Sequence, residues 1–391
     1  MDHVASFVTG MSTSTDIFDN EKYKFSDNLL NYYEYMKKND VFASYAVVPP
    51  QAARNPEFYQ KRNLPIPTLS VVSENDKGVV ISGMKMLATS AIFANEIWIG
   101  NLIPLAPDQV KQSITCSIPC NTNGLSLWMR QPLSNHYDNQ FDAPLSWNQD
   151  ETDVLVMCDK VLVPWERIFV KDDAIQAREI YFKTPAHCYG NHQSNVRYWS
   201  KMELIVGLCY KVAKATGADE VPAVRETLGK MSALESTLSG MIYGQIENAE
   251  NWPENFKTFN RRIMYAALNF CTDNYSMIID ELRTLCGGGV FQMPASIKVM
   301  KNKELLNDFE TYFQTPQMNA LDRMKLFKLA WDVVGSEFAG RQLQYEKFYA
   351  GASFIIRNHN FRETPWNHFE DVVDKVMSKY DVPIKHDKAA E

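Results

Sequence analysis

The pattern of apolar and polar residues changes character near residue 170. Between residues 48 and 170, apolar residues come in short runs rich in Val, Ile and aromatic side chains, and Gly, Pro, Asn and Asp separate the runs. Such runs favour β-strands joined by turns. The predicted strands are residues 68–72, 78–86, 97–103, 113–118, 125–129 and 153–162. The pattern therefore predicts a central β domain.

Long amphipathic helices are predicted after residue 171. Apolar residues recur at the i, i+3, i+4 and i+7 positions of one helix face in residues 202–212 and again in residues 231–242. Further helices are predicted at residues 27–39, 261–285, 322–351 and 367–380. The glycines at 287–289 should end the helix over 261–285, because glycine accepts the backbone conformation found at helix ends. Strands and helices together predict an α+β fold.

Composition narrows the class of protein. The net charge of −7 argues against a nucleic-acid-binding surface, which needs clustered Lys and Arg. No run approaches the roughly 18 apolar residues of a membrane helix, and residues 1–7 lack the features of a signal peptide, so we expect a cytoplasmic protein. The seven scattered cysteines favour reduced thiols over a disulfide framework.

One segment combines a strand pattern with candidate binding groups. Residues 78–91 (GVVISGMKMLATSA) begin with β-branched residues, and Gly83 marks a turn or a close backbone approach. Thr89 and Ser90 then place small hydroxyls and compact backbone where amide groups can meet the polar edge of a planar ring. From these residues alone, both an ordinary β-hairpin and a cofactor-binding loop are possible, and the hairpin is the simpler interpretation.

Several separated segments resemble, in the same order, the 4-hydroxyphenylacetate 3-hydroxylase family. This family is the oxygenase half of two-component monooxygenases that use reduced flavin. Besides residues 78–91, the matching segments are 48–54 (VPPQAAR), 153–156 (DVLV) with 161–167 (VLVPWER), 287–296 (GGGVFQMPAS) and 326–340 (LFKLAWDVVGSEFAG). Collinear order of this kind is far harder to obtain by chance than any single segment.

The resemblance implies an acyl-CoA dehydrogenase-like fold of the α+β class. Its parts would be shortened N-terminal helices in residues 1–47, a central β-barrel-like domain in residues 48–170, and a C-terminal four-helix bundle in residues 171–391. This division agrees with the change of pattern near residue 170.

The resemblance also implies a cofactor, FAD in its reduced form FADH2. Gln51, Arg54, Thr89 and Ser90 stand where relatives contact the flavin. An arginine suits a pyrophosphate or flavin edge because its donors are fixed and always charged, although a solvent-exposed arginine is the alternative. Phe348 and Tyr349 belong to a segment that closes on the flavin in relatives, or else to the core of the bundle.

Three residues are implied to act on the substrate: Tyr45, His3 and Arg130. Relatives that hydroxylate simple phenols have a histidine at the position of Tyr45. A tyrosine can hydrogen-bond the same phenolic oxygen, but its ordinary pKa of about 10 makes it a poorer base at neutral pH. We therefore expect a phenol other than the family's namesake, closer to the substrates of secondary-metabolite hydroxylases. Arg130 matches an arginine of the family, and a surface role is its alternative.

The start of the chain departs from the family. Relatives carry a longer N-terminal helical region with an Arg-Thr-Pro-Asp-Tyr motif, whose arginine and tyrosine orient the substrate. Asp2 and His3 align with the aspartate and tyrosine of that motif, and its arginine has no counterpart. Either the sequence is N-terminally shortened, or the substrate pocket is built differently.

The implied function is hydroxylation of a phenolic ring ortho to its hydroxyl, using O2 and a C4a-hydroperoxyflavin. A separate flavin reductase would supply FADH2, and the chain would form a homo-oligomer, a tetramer as in relatives, with neither nucleic acid nor membrane as a partner. Two alternatives stay open: an acyl-CoA dehydrogenase-like or dehydratase-like flavoenzyme, and a catalytically impaired, truncated flavin-binding form.

The remaining candidates have weaker patterns. His187, Cys188 and His192 lie close together but fit no zinc spacing, and no four ligands for an iron–sulfur cluster are evident, so we expect no metal. Residues 189–200 (YGNHQSNVRYWS) either line an aromatic substrate pocket or start a helix that Asn191 or Ser194 caps.

Overall fold

The computed structural model describes residues 3–380, so Asp2 lies outside the described residues. The two largest hydrophobic cores of this part of the chain organise its fold. The first joins the N-terminal helices to the β-sheets, and its buried residues run from Val4 to Ala186. The second fills the helical bundle between Tyr198 and Val334. The cores meet where the bundle begins, and the candidate site lies at this junction.

The strands form two main sheets. Along the chain the strands are β1 Ala43–Ala46, β2 Ser70–Asn75, β3 Gly78–Lys85, β4 Glu96–Ile99, β5 Thr115–Pro119, β6 Leu125–Met129, β7 Val154–Pro164, β8 Ile168–Val170, β9 Glu250–Asn251 and β10 Lys257–Thr258. Within residues 3–380, one four-stranded sheet has the order β1-β4-β5-β8 and the other β2-β3-β7-β6. Strand β1 pairs in parallel with β4, so the segment before residue 48 contributes a strand to the first sheet.

The helices come mainly after the sheets. They are α1 His3–Met11, α2 Ser26–Asn39, α3 Pro56–Gln60, α4 Pro144–Asn148, α5 Gln176–Phe182, α6 Ala186–Thr216, α7 Pro222–Glu247, α8 Arg261–Cys286, α9 Lys303–Phe313, α10 Ala320–Val334, α11 Glu337–Phe348, α12 Ser353–Glu363 and α13 Trp366–Met377. Helices α6, α7, α8 and the consecutive pair α10 and α11 form the bundle. None of the helices in residues 3–380 has the length and apolar character needed to cross a membrane.

The predicted strands and most predicted helices are confirmed within a few residues, but the single helix over 322–351 is wrong. It is broken between Val334 and Glu337. The ring of Trp331 occupies the space where a side chain at Gly335 would lie, 2.3 Å from the position of a Cβ. Ser336 then accepts a hydrogen bond from the Ala339 amide at 3.2 Å and so begins a new helix. The break sets the direction of α11, which carries much of the candidate site.

A buried carboxylate fastens the β domain to the bundle. Asp332 of α10 is 1% exposed and accepts hydrogen bonds from the amides of Leu145 and Ser146 at 2.7 and 2.8 Å. The Ser146 hydroxyl donates to the same carboxylate at 2.5 Å. These donors lie at the start of α4, whose first amide groups have no partner within that helix. The contact therefore joins the segment between β6 and β7 to the bundle.

Replacing Asp332 with alanine should destabilise the fold. We expect Asp332→Ala to lower the free energy of unfolding by about 3 kcal/mol, because three donors lose a charged acceptor in a buried place. Thermal unfolding followed by circular dichroism would measure the loss. Asp322→Ala on the exposed side of the same helix is the matched control, and an equal loss in both variants would contradict this account of Asp332.

Candidate functional site

Four elements meet around a group of polar aromatic side chains. His3 begins α1, Tyr45 lies on β1, Gln193 on α6, and Tyr349 at the end of α11. The His3 Nδ1 atom is 3.2 Å from the Tyr349 hydroxyl and 3.4 Å from the Gln193 Oε1 atom, and the rings of His3 and Tyr45 are 5.0 Å apart. All four residues are half-buried, so they line a recess that solvent reaches. We call His3, Tyr45, Gln193 and Tyr349 the polar cluster.

Local packing holds His3 in this place. A side chain at Gly190 would put its Cβ 2.8 Å from the His3 Nε2 atom, so the imidazole ring lies directly against the backbone of α6. Phe7, one turn further along α1, meets the rings of both His3 and Tyr45 edge-on, with centroids 5.9 and 6.3 Å apart. The close approach of α1 to α6 therefore decides where the imidazole points.

The titratable members of the polar cluster are neutral near pH 7. Burial lowers the pKa of His3 to about 4, and the nearby charge of Arg197 acts in the same direction against the hydrogen bond with Gln193. Burial raises the pKa of Tyr349 to about 12 although the charge of Arg197 opposes the rise, and burial raises the pKa of Tyr45 well above its usual value. The cluster thus offers hydrogen-bond donors and acceptors rather than charges.

A buried ion pair lies behind the polar cluster. Arg197 of α6 makes two hydrogen bonds of 2.6 Å to the two carboxylate oxygens of Glu346 on α11. Lys201, one turn further along α6, contacts the same carboxylate and donates to the Gln342 side chain at 2.7 Å. The Arg197 guanidinium also lies 4.6 Å from the centre of the Tyr349 ring. The pair therefore joins α6 to α11 and supports Tyr349.

Burial disfavours the charged forms of these side chains. For the Glu346 carboxylate, the effect of the neighbouring positive charges on the pKa is larger than the effect of burial. Burial alone would raise the pKa of Glu346, but the charges of Arg197 and Lys201 lower it to about 2. Burial lowers the pKa of Lys201 to about 8 although Glu346 acts to raise it. Glu346 and Arg197 are thus fully charged at neutral pH.

A second ionic network joins α11 to the β domain. Arg341 donates to Asp153 at 2.8 and 3.1 Å and to Glu151 at 3.0 Å. Its guanidinium lies 4.1 Å from the centre of the Tyr345 ring. On the β domain side, Thr89 donates to Asp153 at 3.0 Å, and Arg130 binds Asp153 at 3.2 Å as well as Asp150. Thr89, Arg130 and α11 are therefore held together through the carboxylate of Asp153.

The loop after β3 has features that fit the polar edge of a flavin. Ser90 adopts a left-handed backbone conformation with φ of +61°, and its amide donates to the backbone of the loop before β7 at 2.9 Å. The Thr89 amide has no acceptor in residues 3–380 and is free to meet a ligand. Leu87 and Phe93 on either side are 57% and 61% exposed, which leaves apolar surface open beside the loop. An amide donor next to open apolar surface suits a planar ring system with polar atoms along one edge.

The segment after the diproline offers a charge for the anionic part of such a cofactor. Gln51 and Arg54 are exposed on a short 3-10 helix, and Arg54 makes no ion pair with any residue in the described range. Arg54 lines a concave surface together with Phe58 and Arg62. A free arginine in a concavity fits a pyrophosphate.

The structure brings together some of the predicted site residues. His3, Tyr45 and Tyr349 meet in the polar cluster, and Thr89 and Arg130 both bind the Asp153 carboxylate, while the Ser90 hydroxyl donates to the Glu151 carbonyl. The other predicted residues are Gln51, Arg54 and Phe348, and they are exposed, Phe348 by 52%. Their contacts with the flavin stay predictions.

Sequence reasoning placed Gln193 and Arg197 within the candidate segment 189–200 but did not single out the charged residues that support the cluster. Gln193, Arg197 and Lys201 follow each other at every fourth position of α6, and Arg341, Tyr345 and Tyr349 do so along α11. Side chains four residues apart lie on one helix face, so polar spacing of this kind inside a bundle was the available signal. The alternative that Asn191 or Ser194 caps a helix is wrong, because α6 already begins at Ala186.

The three residues considered as metal ligands, His187, Cys188 and His192, each contact a different partner. His187 contacts the Tyr265 hydroxyl at 2.8 Å, His192 contacts Gln245 at 2.8 Å, and the Cys188 thiol lies 3.5 Å from the Phe259 carbonyl. In residues 3–380, no group of three or more His, Cys, Asp or Glu side chains is arranged to hold a metal ion.

Comparison with known proteins yields consistent matches along the chain. A family model described as 4-hydroxyphenylacetate 3-hydroxylase N terminal matches residues 1–170, and one described as 4-hydroxyphenylacetate 3-hydroxylase C terminal matches residues 177–378. The 4-hydroxyphenylacetate 3-monooxygenase oxygenase component of Thermus thermophilus is 30% identical over 353 residues, which cover 90% of this chain and 71% of that protein.

Solved structures agree with these matches. The oxygenase component of 4-hydroxyphenylacetate 3-monooxygenase, complexed with FAD and 4-hydroxyphenylacetate, superposes with a TM-score of 0.88 at 27% identity, over 96% of this chain and 77% of that chain. Butyryl-CoA dehydrogenase from Megasphaera elsdenii gives a TM-score of 0.54 at 10% identity, over 91% of this chain and 76% of that chain, which concerns the fold alone. The predicted acyl-CoA dehydrogenase-like α+β fold is confirmed.

Removing the charge of Glu346 should be costly. We expect Glu346→Gln to lower the free energy of unfolding by about 3 to 5 kcal/mol, because the charges of Arg197 and Lys201 would stay buried without a counter-charge. The double variant Arg197→Met/Glu346→Met should lose much less, since both members of the pair are gone. Denaturation in urea would measure both.

The control for this experiment is an exposed ion pair. Arg357 and Asp273 are 3.1 Å apart with side chains 63% and 42% exposed, so Asp273→Asn should change the free energy of unfolding by less than about 1 kcal/mol. Equal losses in Glu346→Gln and Asp273→Asn would show that the buried pair does not stabilise the contact between α6 and α11.

Proposed function

We propose that this chain, which belongs to the 4-hydroxyphenylacetate 3-hydroxylase family, is a flavin-dependent aromatic monooxygenase. The family prediction made from the sequence is confirmed. The observation that carries the function is the polar cluster, where His3, Tyr45 and Tyr349 form a neutral aromatic recess next to a loop that fits a flavin. Such a recess suits a phenol, which needs apolar walls for its ring and hydrogen-bonding groups for its hydroxyl.

Gln51, Arg54, Thr89 and Ser90 would hold the flavin, with Phe348 and Tyr349 packing on it from α11. Bound FADH2 supplies the two electrons with which one atom of O2 enters the aromatic ring and the other leaves as water. The protein supplies binding, orientation and a place from which water is excluded. The domain division at residues 47 and 170 belongs to this proposal, since it puts the flavin between the β domain and the bundle.

Tyr45 and His3 would orient the phenolic hydroxyl. Because burial keeps the pKa of Tyr45 high, its hydroxyl stays protonated and donates a hydrogen bond to the phenolic oxygen. Neutral His3 offers a ring nitrogen that can accept the phenolic proton, but burial lowers its pKa to about 4 and makes it a weak base. Attraction to the developing phenolate is therefore the larger contribution of these residues, and hydroxylation would occur ortho to the oxygen they hold.

Arg130 enters this proposal as a positioning residue. Its guanidinium is bound to Asp150 and Asp153, and Asp153 in turn accepts a hydrogen bond from the Thr89 hydroxyl. Through this chain of contacts Arg130 would fix the loop that meets the flavin, without touching the substrate itself.

The acyl-CoA dehydrogenase alternative lacks a suitable base in the described residues. That reaction needs a carboxylate free to face the flavin, but the carboxylates around the polar cluster are bound to arginines. Glu346 binds Arg197 at 2.6 Å, and Glu151 and Asp153 bind Arg341 at 3.0 and 2.8 Å. We therefore prefer hydroxylation, on a phenol of the secondary-metabolite type as Tyr45 suggests.

The proposal includes partners: a separate reductase that supplies FADH2, and further copies of this chain as a homotetramer. Helix α13 supports self-association because it carries an apolar stripe at the i, i+3, i+4, i+7 and i+8 positions with no buried residue. The exposed members of the stripe are Phe369 at 39%, Val372 at 49%, Val373 at 54%, Val376 at 55% and Met377 at 53%. A continuous apolar stripe of this length suits a protein interface.

The activity can be tested with FADH2 generated by a reductase or by light, O2 and a panel of phenols. We expect catechol products from the wild-type chain, and Tyr45→Phe should lower kcat/KM by about tenfold because one hydrogen bond to the phenolic oxygen is lost. Tyr243→Phe, at a tyrosine 57% exposed on α7, is the matched control and should not change the rate. The proposal is wrong if the wild-type chain neither binds FADH2 nor converts any phenol.

Self-association can be tested on the α13 stripe. Val373→Glu should shift the chain to smaller assemblies in light scattering coupled to size-exclusion chromatography, because a charge in an apolar interface is costly. Asn367→Glu adds the same charge outside the stripe and should leave the assembly unchanged. An unchanged mass for Val373→Glu would remove α13 from the interface.

A further inference from the structure

Gln193 has an unused hydrogen-bonding group in the polar cluster. Its Oε1 atom is 3.4 Å from both the His3 Nδ1 atom and the Tyr349 hydroxyl, so the amide oxygen already faces two groups that can donate. Its Nε2 atom is buried and has no hydrogen-bond partner within residues 3–380. A buried amide nitrogen without an acceptor is costly in a folded protein, and an acceptor supplied from outside the chain would remove that cost.

The contacts inside the polar cluster are also long. The three separations among His3 Nδ1, the Tyr349 hydroxyl and Gln193 Oε1 are 3.2, 3.4 and 3.4 Å. Strong hydrogen bonds of these types are about 2.7 to 3.0 Å long. The three groups are therefore close enough to share a ligand and too far apart to satisfy each other fully.

Tyr45 adds a second unused donor. Its hydroxyl makes no hydrogen bond with any residue in the described part of the chain, although the ring is half-buried beside His3. Tyr45 and Gln193 thus approach His3 from β1 and α6, and each leaves a hydrogen available. An oxygen with two lone pairs is the atom that such a pair of donors fits.

The ion pair of Arg197 and Glu346 lies behind these donors. Arg197 is one turn beyond Gln193 on α6, and its Nε atom is likewise buried without a partner in residues 3–380. The guanidinium lies 4.6 Å from the centre of the Tyr349 ring. The nearest carboxylates, Glu346 and Glu151, are already bound to arginines. The charge of Arg197 acts to lower the pKa of Tyr45 and of Tyr349 against the effect of burial, so it would act in the same direction on a phenolic oxygen bound beside them.

We propose that the side-chain amide of Gln193 is the second donor, beside Tyr45, to the phenolic oxygen of the bound substrate. The inference rests on the proposed function and assigns a substrate-binding role to a residue on α6. Two donors on one oxygen fix both the position of the hydroxyl and the plane of the ring, so that the ortho carbon has a defined direction toward the flavin. Both donors also bind phenolate more strongly than phenol.

The chain contains a matched control for Gln193. Gln245 on α7 also has a buried Nε2 atom without a partner in the described residues, and its Oε1 atom also contacts a histidine, His192, at 2.8 Å. Gln245 is 0% exposed, whereas Gln193 is half-buried. The same substitution at the two positions therefore removes the same chemical group, but only at Gln193 from a side chain that contacts His3 and Tyr349 of the polar cluster.

The test uses 4-nitrophenol, whose ionised form is coloured, as a probe of the bound phenolic oxygen. The protein is loaded with FADH2 without oxygen, so that no turnover occurs, and the absorbance of the bound probe is followed as the pH changes. In the wild type the pKa of the bound probe should lie below its value in a variant that lacks the Gln193 amide. Gln193→Met should raise it by about one unit and weaken binding of the probe about tenfold.

Further variants should rank in a definite order by the pKa of the bound probe, and a merely structural role of Gln193 would not produce that order. Gln193→Asn, which keeps the amide but withdraws it by one methylene group, should fall between the wild type and Gln193→Met. Gln193→Glu should raise the pKa of the bound probe most, because a carboxylate repels phenolate. Gln245→Met should match the wild type in probe binding, and all four variants should bind FADH2 as the wild type does.

The outcomes separate this inference from the proposed function. If Gln193→Met leaves both the pKa and the affinity of the bound probe as in the wild type, Gln193 does not hold the phenolic oxygen and the inference is wrong. Absence of catechol formation by the wild type would instead count against the proposed function, and the probe titration would still report on Gln193. An equal effect of Gln245→Met would also overturn the inference.

Discussion

The buried pair of Arg197 and Glu346 is the interaction on which the candidate site depends. Two hydrogen bonds of 2.6 Å join the guanidinium to the two carboxylate oxygens and so hold α6 against α11. Burying two charges costs several kcal/mol per ion, and good geometry must offset this cost. Here the second cation, Lys201, brings a further contact to the same carboxylate. As a result, Tyr349 at the end of α11 and Gln193 on α6 are held at a fixed distance from each other.

The site combines segments that are far apart in the sequence, because α11 contacts both α6 and the β domain. Tyr345 and Glu346 lie one turn from Arg341 along the helix, so the face that meets α6 continues into the face that meets the β domain. Arg341 binds Asp153, and Asp153 binds Thr89 in the loop that fits the flavin. A displacement of α11 would therefore change the cofactor side and the substrate side of the recess together. Because Glu346 and Arg341 both belong to α11, the two ionic networks position the cofactor side and the substrate side of the site together.

Much of the fold could be predicted from the sequence, since it follows from local patterns. The strand over 78–86 and the helix over 261–285 were predicted within a residue or two of β3 and α8, because alternation and helical spacing report on burial directly. The break at Gly335 was not predicted. Apolar residues continue on both sides of it, and only the structure shows that the ring of Trp331 fills the space where a side chain at Gly335 would lie.

The sequence by itself determined the family, the α+β class and the short list that includes His3, Tyr45, Thr89 and Tyr349, because collinear motifs and periodicity are local properties of the chain. The tertiary structure alone decided that residues 3, 45, 193 and 349 share one recess, and that Gln193 is left with a free donor there. Which side chains contact each other depends on how the helices and strands pack in three dimensions. Spacing along the chain sets the face of a helix on which a residue lies, but not what that face meets.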